Sequence, residues 1–252
     1  MLGRVLRWGL ALLVVLAGVG AAGFMALDEP LPQGHPGPAA EALAARMMQA
    51  ANVEAWERAG AVRFTFRGQQ HHLWDRRRGL AMVEWGEERA LLRLSDRSGL
   101  AYHAGLPLTG MNGAAHLRKA YRYWANDTFW LNPLAKLHDP GVTRELVKLE
   151  GGGEGLLVHY ASGGVTPGDS YLWMPDDDGL PVAWKMWVKI IPIGGVRATW
   201  EDWKTLDGGA KVSTRHELGP IWITVGDIEV ADTVEELTGG EDPFAPLFDT
   251  KD

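Results

Sequence analysis

The chain has 252 residues, a net charge of −7 from 32 acidic and 25 basic side chains, and no cysteine. The absence of a basic block excludes phosphate-backbone binding, and the absence of thiols excludes a disulfide framework, a Cys-based metal site and a lipid-modified N-terminal Cys. Twelve tryptophans against 5 tyrosines and 6 phenylalanines require a large core or an apolar cavity to line.

Arg4 and Arg7 precede residues 10–27, a run without a charge. A basic flank before an apolar core is the layout of a secretory signal or a membrane anchor. Small residues at 20–23 suit cleavage, while the length approaches the roughly 20 residues that span a bilayer. The basic flank stays in the cytoplasm, so the body is expected on the periplasmic side of the cell envelope, secreted or anchored. Residues 28–38 form a Pro/Gly linker, 39–237 the folded domain, and 238–252 an acidic, loosely ordered tail.

Residues 38–54 read as a helix, with Leu43, Met47 and Ala50 at helical spacing. From Ala61 the period becomes two: Val62, Phe64 and Phe66 alternate with Arg63, Thr65 and Arg67. Short strands follow at 71–76, 80–85, 89–94 and 100–104, separated by turn-forming residues, and pair as an antiparallel meander. A second helix after Asn112, its expected N-cap, has an apolar stripe of Ala114, Leu117, Tyr121 and Trp124. Residues 126–142 then crowd Phe129, Trp130, Leu131, Leu134 and Leu137 into one run, broken by Pro133 and ended by the turn Asp139-Pro140-Gly141. This run is an apolar plug between two groups of strands.

Strands resume at 143–149, 156–160, 170–174, 182–191, 196–201, 211–218 and 221–230. In the longest apolar one, Trp184, Met186, Val188 and Ile190 share a face opposite Lys185, Trp187 and Lys189. Helices this sparse among about eleven antiparallel strands point to one strongly curved sheet wrapped around the plug, dry on one face and wet on the other.

No catalytic motif is present. His71-His72 is the one close histidine pair, and on a strand its rings point to opposite faces. Asp176-Asp177-Asp178-Gly179 lacks the alternating ligands and closing Glu of a calcium loop and reads as hairpin chemistry. No serine sits in a Gly-x-Ser-x-Gly elbow, and Gly151-Gly152-Gly153 has no following Lys-Ser/Thr. No cofactor and no metal are expected.

Three stretches carry a family resemblance: Asn126-Asp127 with Phe129-Trp130-Leu131 and Asp139-Pro140-Gly141-Val142; Tyr171-Leu172-Trp173-Met174 with Asp178-Gly179-Leu180-Pro181; and Trp200-Glu201-Asp202-Trp203 before Asp207-Gly208. The second resembles the strand–turn–strand of LolA/LolB-like outer-membrane lipoprotein-carrier domains, the third resembles their following strand pair, and the first resembles a bacterial branch of that superfamily. The resemblance spans about residues 39–230. It implies a half-barrel, a mainly β (α+β) fold with an N-terminal helix and the central helix and plug packed in the concave face of one antiparallel sheet. It also implies an apolar cavity that holds acyl chains.

The expected function is therefore non-enzymatic binding of a lipid or lipoprotein acyl chain in envelope trafficking, by a monomer with no nucleic acid partner. The sheet would line the cavity with Phe64, Phe66, Trp74, Leu92, Trp184, Met186, Val188 and Trp200. The helix and plug would add Leu117, Trp124, Phe129 and Trp130. The N-terminus would supply contact with the inner membrane. Two alternatives stand beside it: a membrane-tethered interaction or structural module with a filled core, using Trp187 and Trp203 on exposed faces, and a hydrolase or isomerase using the same cavity with His72 or Asp75.

Overall fold

The computed structural model describes residues 28–162 and 167–249. The expected export segment, 1–27, lies outside the described residues. Among the described residues no helix is long and apolar enough to cross a membrane.

Fourteen strands form one antiparallel sheet: β1 (Ala61–Phe66), β2 (Gln70–Asp75), β3 (Leu80–Trp85), β4 (Glu88–Arg93), β5 (Gly99–His103), β6 (Leu106–Leu108), β7 (Val142–Lys148), β8 (Glu154–Tyr160), β9 (Asp169–Pro175), β10 (Pro181–Trp187), β11 (Val196–Thr199), β12 (Glu201–Thr205), β13 (Lys211–Leu218) and β14 (Ile221–Ala231). Among the described residues four α-helices accompany them: α1 (Pro38–Ala50), α2 (Val53–Arg58), α3 (Gly110–Leu131) and α4 (Val234–Thr238). The strand order is β6-β5-β4-β3-β2-β1-β14-β13-β11-β10-β9-β8-β7, with β12 beside β13. The sheet is not closed, and a twisted sheet this wide curls rather than lying flat.

This order makes two meanders, β1–β6 and β7–β14, that join where β1 pairs with β14. Their free edges are β6 and β7, which are also consecutive in the chain. The link between them must cross from one edge of the half-barrel to the other. It does so as α3 followed by a 3₁₀ turn at Pro133–Lys136. Topology therefore puts the apolar plug inside the curve of the sheet, and α3 packs on β3, β4, β5 and β13.

The strand count exceeds the expected one for two reasons. The three-residue β6 has too little alternation to be read. The expected strand 196–201 is also two strands, split at Trp200, with Asp202 at φ 51°; the bulge lets β11 pair with β10 while β12 pairs with β13. The expected strand 182–191 ends at Trp187, because Pro192 and Gly194-Gly195 take the chain into a loop. The first expected helix is two helices separated by Asn52 at φ 49°, whose side chain accepts from the Ala55 N–H at 3.3 Å. In α1, Pro38 opens the helix and Ala40, Leu43, Ala44 and Met47 are buried on one stripe.

Helix α3 begins earlier than expected, with Thr109 rather than Asn112 as its N-cap residue, and runs through Leu131 before Asn132-Pro133 stops it. Ala114 is exposed; the buried face carries Gly113, Ala120, Asp127, Thr128, Trp130 and Leu131. The first half of the plug is thus the last turns of a 22-residue helix.

The outer face is not uniformly wet. Residues 28–37, expected as a free linker, lie along it, and His35 exchanges backbone hydrogen bonds of 2.9 Å with Leu146 of the edge strand β7. They cover a patch of Val147, Leu157 and Leu172 beside Trp187. The segment after Gly239, expected as a loose tail, packs instead: Phe244 is fully buried with Ala61, Leu73, Leu80 and Leu91. Arg78 holds it through hydrogen bonds of 2.7 and 2.9 Å to Asp242. One aromatic anchor outweighs the acidic composition on which the tail expectation rested.

Candidate ligand cavity

Because hairpin turns alternate between the two ends of an antiparallel sheet, the half-barrel has two distinct ends. One carries the turns after β7, β9 and β12 and is closed by α1 and α2. There Asn52 Nδ2 donates to Gly209 O at 3.0 Å and the Lys211 N–H to Ala51 O at 2.8 Å. The other end carries the turns after β1, β8, β10 and β13. The β1–β2 turn, residues 67–69, has Arg67 and Gly68 at φ 52° and 64°, a left-handed pair that matches the sheet twist.

A cavity of about 450 Å³ lies at this second end, between the last turns of α3 and the concave faces of β8, β9, β10, β13 and β14. Its inner wall is aromatic: Trp124, Phe129 and Trp130 from α3 face Tyr160, Tyr171 and Trp184 from the sheet. Phe129 and Tyr160 meet edge to face at 5.4 Å between centroids, and Trp130 and Trp184 at 4.9 Å. Met186, Val188, Leu218 and Ile223 complete an aliphatic side. The exposed residues Arg67, Asn126, Asp139, Ser162 and Ile190 mark the mouth.

Seven of the twelve residues expected to line a cavity do so: Phe66, Trp124, Phe129, Trp130, Trp184, Met186 and Val188. The other five lie elsewhere. Phe64 is fully buried and stacked on His72, with centroids 4.5 Å apart and planes 10° from parallel. Trp74 meets Trp124 edge to face at 5.5 Å from outside the cavity. Leu92 and Leu117 pack together under the first half of α3 in a separate cluster. Trp200 is buried behind the wall, 4.9 Å from Trp184. Alternation identified the inward face but not which part of it the helix leaves uncovered. Tyr160 and Tyr171, which were not among the expected lining residues, sit on inward positions of β8 and β9; their pairing with Phe129 is a long-range contact with no local signal.

Three hydrogen-bond donors in the lining have no partner among the described residues: the Tyr160 hydroxyl and the indole N–H groups of Trp124 and Trp184. Burial pushes the phenols of Tyr160 and Tyr171 well above the usual tyrosine range, so both are neutral donors at physiological pH. At the mouth Lys136 stands 3.5 Å from Asp139, and Asp169 Oδ1 accepts from the Lys189 N–H at 3.0 Å.

Two buried histidines support the wall. His216 Nδ1 lies 3.0 Å from Thr199 O, the geometry of an N–H donating to a carbonyl, and the ring meets Trp200 at 4.3 Å. Burial lowers its pKa to about 4, so it is neutral and contributes as a packed ring. His72 Nε2 lies 2.7 Å from Asp127 Oδ2, with side chains 0% and 2% exposed. Asp127 Oδ1 also accepts from Asn126 Nδ2 at 2.8 Å. This buried pair joins β2 to α3 and pins the helix to the sheet. It lies outside the cavity lining. Asp75 binds Arg78 at 2.6 Å beyond the same strand. His71, exposed, bonds Thr65 Oγ1 at 3.0 Å. Among the described residues, no three His, Cys, Asp or Glu side chains gather closely enough to hold a metal ion.

No family model matches the chain, and no curated protein matches it. Among solved structures it is similar to a DUF1329 family protein from Desulfovibrio piger, at 12% identity and a TM-score of 0.43, over 82% of this chain and 100% of that one.

Proposed function

We propose that the domain binds one acyl chain of a lipid or lipoprotein in the cavity between α3 and the sheet, as a non-enzymatic carrier or holder in the cell envelope. The observation that carries this reading is the cavity itself. Its volume of about 450 Å³ falls within the roughly 300–1,000 Å³ of small-molecule sites, and its walls are aromatic and aliphatic. Each methylene moved from water into such a site gains about 0.8 kcal/mol. The donors of Tyr160, Trp124 and Trp184 favour a chain that brings an acceptor, as an ester or amide carbonyl does, because an unpaired buried donor costs about 1–3 kcal/mol.

The cavity favours this reading over a filled-core module. The position of the His72–Asp127 pair speaks for a structural pin rather than an acid–base dyad: it is sealed behind Phe64 and does not line the space a substrate would occupy.

A variant that fills the cavity from the helix side tests the reading. Ala125 lines the cavity and is half-buried, so Ala125→Trp inserts bulk with little change to the sheet. The variant is expected to keep its circular dichroism spectrum and lose binding of a fluorescent acyl probe at least about tenfold, equivalent to about 1.4 kcal/mol. Unchanged probe affinity in the folded variant would refute binding at this cavity.

A further inference from the structure

The end of the half-barrel that bears the cavity mouth is also where the described chain begins. Asp28 and Glu29 directly follow the apolar run 10–27, and both are stapled to the loop 188–195. The Glu29 N–H donates to Gly194 O at 3.2 Å, the Gly194 N–H to Asp28 Oδ1 at 2.7 Å, and Trp187 Nε1 to Glu29 O at 2.7 Å. Lys185 pairs with the Glu29 carboxylate. Gly194 permits this approach: a Cβ there would lie 2.6 Å from Glu29 O and 2.3 Å from Trp187 Cδ1.

The same loop presents Ile190, 75% exposed. After the neighbouring turn between β13 and β14, the first residues of β14, Ile221 and Trp222, are 45% and 44% exposed. Loop and turn are neighbours because β11 pairs with both β10 and β13. The Arg215 guanidinium lies 3.9 Å from the centroid of the Trp222 ring, and Arg67 and Lys189 are exposed at the same end. Isoleucine tips beside an exposed indole and cations are the composition of a surface that seats in the interfacial layer of a bilayer. At the opposite end, the turns after β7, β9 and β12 carry Gly151-Gly152-Gly153, Asp176-Asp177-Asp178 and Asp207-Gly208, and the turn after β2 carries Arg76-Arg77-Arg78, so that end has cations in its turns but, among the described residues, no exposed indole beside isoleucine tips.

We infer that the mouth end is a bilayer-docking face, on which Ile190, Ile221 and Trp222 enter the interface while an N-terminal segment held in the same membrane keeps the mouth against it. The proposed acyl ligand then passes between bilayer and cavity without crossing water; that consequence rests on the proposed function, whereas the docking does not. Charge at this rim is mixed, with Asp28, Glu29 and Asp139 beside the cations, so apolar insertion rather than charge attraction carries the contact.

The chain's lack of cysteine makes single labels unambiguous. Full-length protein would be prepared with one fluorophore-labelled cysteine, at Ile190→Cys or Trp222→Cys for the mouth and at Asp177→Cys or Asp207→Cys for the far end. Each would be mixed or reconstituted with phosphatidylethanolamine–phosphatidylglycerol vesicles containing brominated lipid. The inference expects strong quenching at 190 and 222 and none at 177 and 207, with the quenching at 222 lost when Ile190→Asp and Ile221→Asp are added. Equal quenching at both ends, stronger quenching at the far end, or protein that does not associate with the vesicles would overturn it. Acyl-probe binding, measured on the samples labelled at 177 and 207, away from the cavity, separates the two readings. Mouth quenching without probe binding sinks the cavity reading alone, and probe binding with an unquenched mouth sinks the docking alone.

Discussion

Asp127→Ala removes one half of the pin that holds α3 to the sheet. In the native structure His72 Nε2 and Asp127 Oδ2 are 2.7 Å apart, and neither side chain reaches solvent appreciably. The other imidazole nitrogen, Nδ1, has no partner among the described residues. After the substitution the ring would be buried against Phe64 with both nitrogens unpaired, and removing one member of such a buried pair costs about 3–5 kcal/mol. Replacing both members by apolar groups of similar size removes the desolvation penalty together with the attraction, and such replacements are often neutral. His72→Phe with Asp127→Leu is therefore expected within about 1 kcal/mol of the native protein, giving a coupling of at least about 2 kcal/mol in a double-mutant cycle closed by the single His72→Phe and Asp127→Leu variants. Equilibrium guanidinium unfolding, followed by both circular dichroism and tryptophan fluorescence, measures each term. A cost below about 1 kcal/mol for Asp127→Ala, or simple additivity in the double variant, would show that the pair does not pin the helix.

Three further outcomes follow from the same geometry. The buried His216, with a folded-state pKa of about 4 against roughly 6.5 unfolded, binds fewer protons folded than unfolded between those values. Stability from its neutral form is thus complete above about pH 6.5 and lost as the pH falls toward 4, by about 3 kcal/mol; His216→Gln is expected to flatten that part of a pH series of unfolding midpoints, and an unchanged slope would contradict the assignment. Phe244→Ala should cost about 3–5 kcal/mol, read as a lowered unfolding midpoint, because the ring is fully buried under the outer face; a loose tail would give no change. Tyr160→Phe should weaken binding of an acyl ester by about 1 kcal/mol, roughly fivefold, while leaving an alkane probe unaffected, as titration calorimetry can compare.

Much of the architecture was legible because period-two alternation is a local property. Val62, Phe64 and Phe66 announced an inward face, and Trp184 and Met186 did the same for β10. The plug was legible because so dense an apolar run cannot stay in water. What escaped depended on contacts distant in sequence. Nothing local distinguishes Leu92, which packs under the first half of α3, from Met186, which lines the cavity; the helix path decides it. His72 and Asp127 are 55 positions apart, and their pairing exists only because the edge-to-edge crossover lays α3 over β2. The chain ends misled for a related reason. Their composition is that of solvated segments, yet Phe244 and the backbone of His35 each find a partner on the outer face of the sheet.

The most direct test of the central claim is native mass spectrometry of the protein extracted gently from a bacterial envelope fraction, followed by solvent extraction of whatever it carries. The account predicts a stoichiometric adduct that releases a phospholipid or an acylated peptide, and that is absent from Ala125→Trp prepared in parallel. A clean ligand-free mass, with no gain after incubation with lipid, would contradict it.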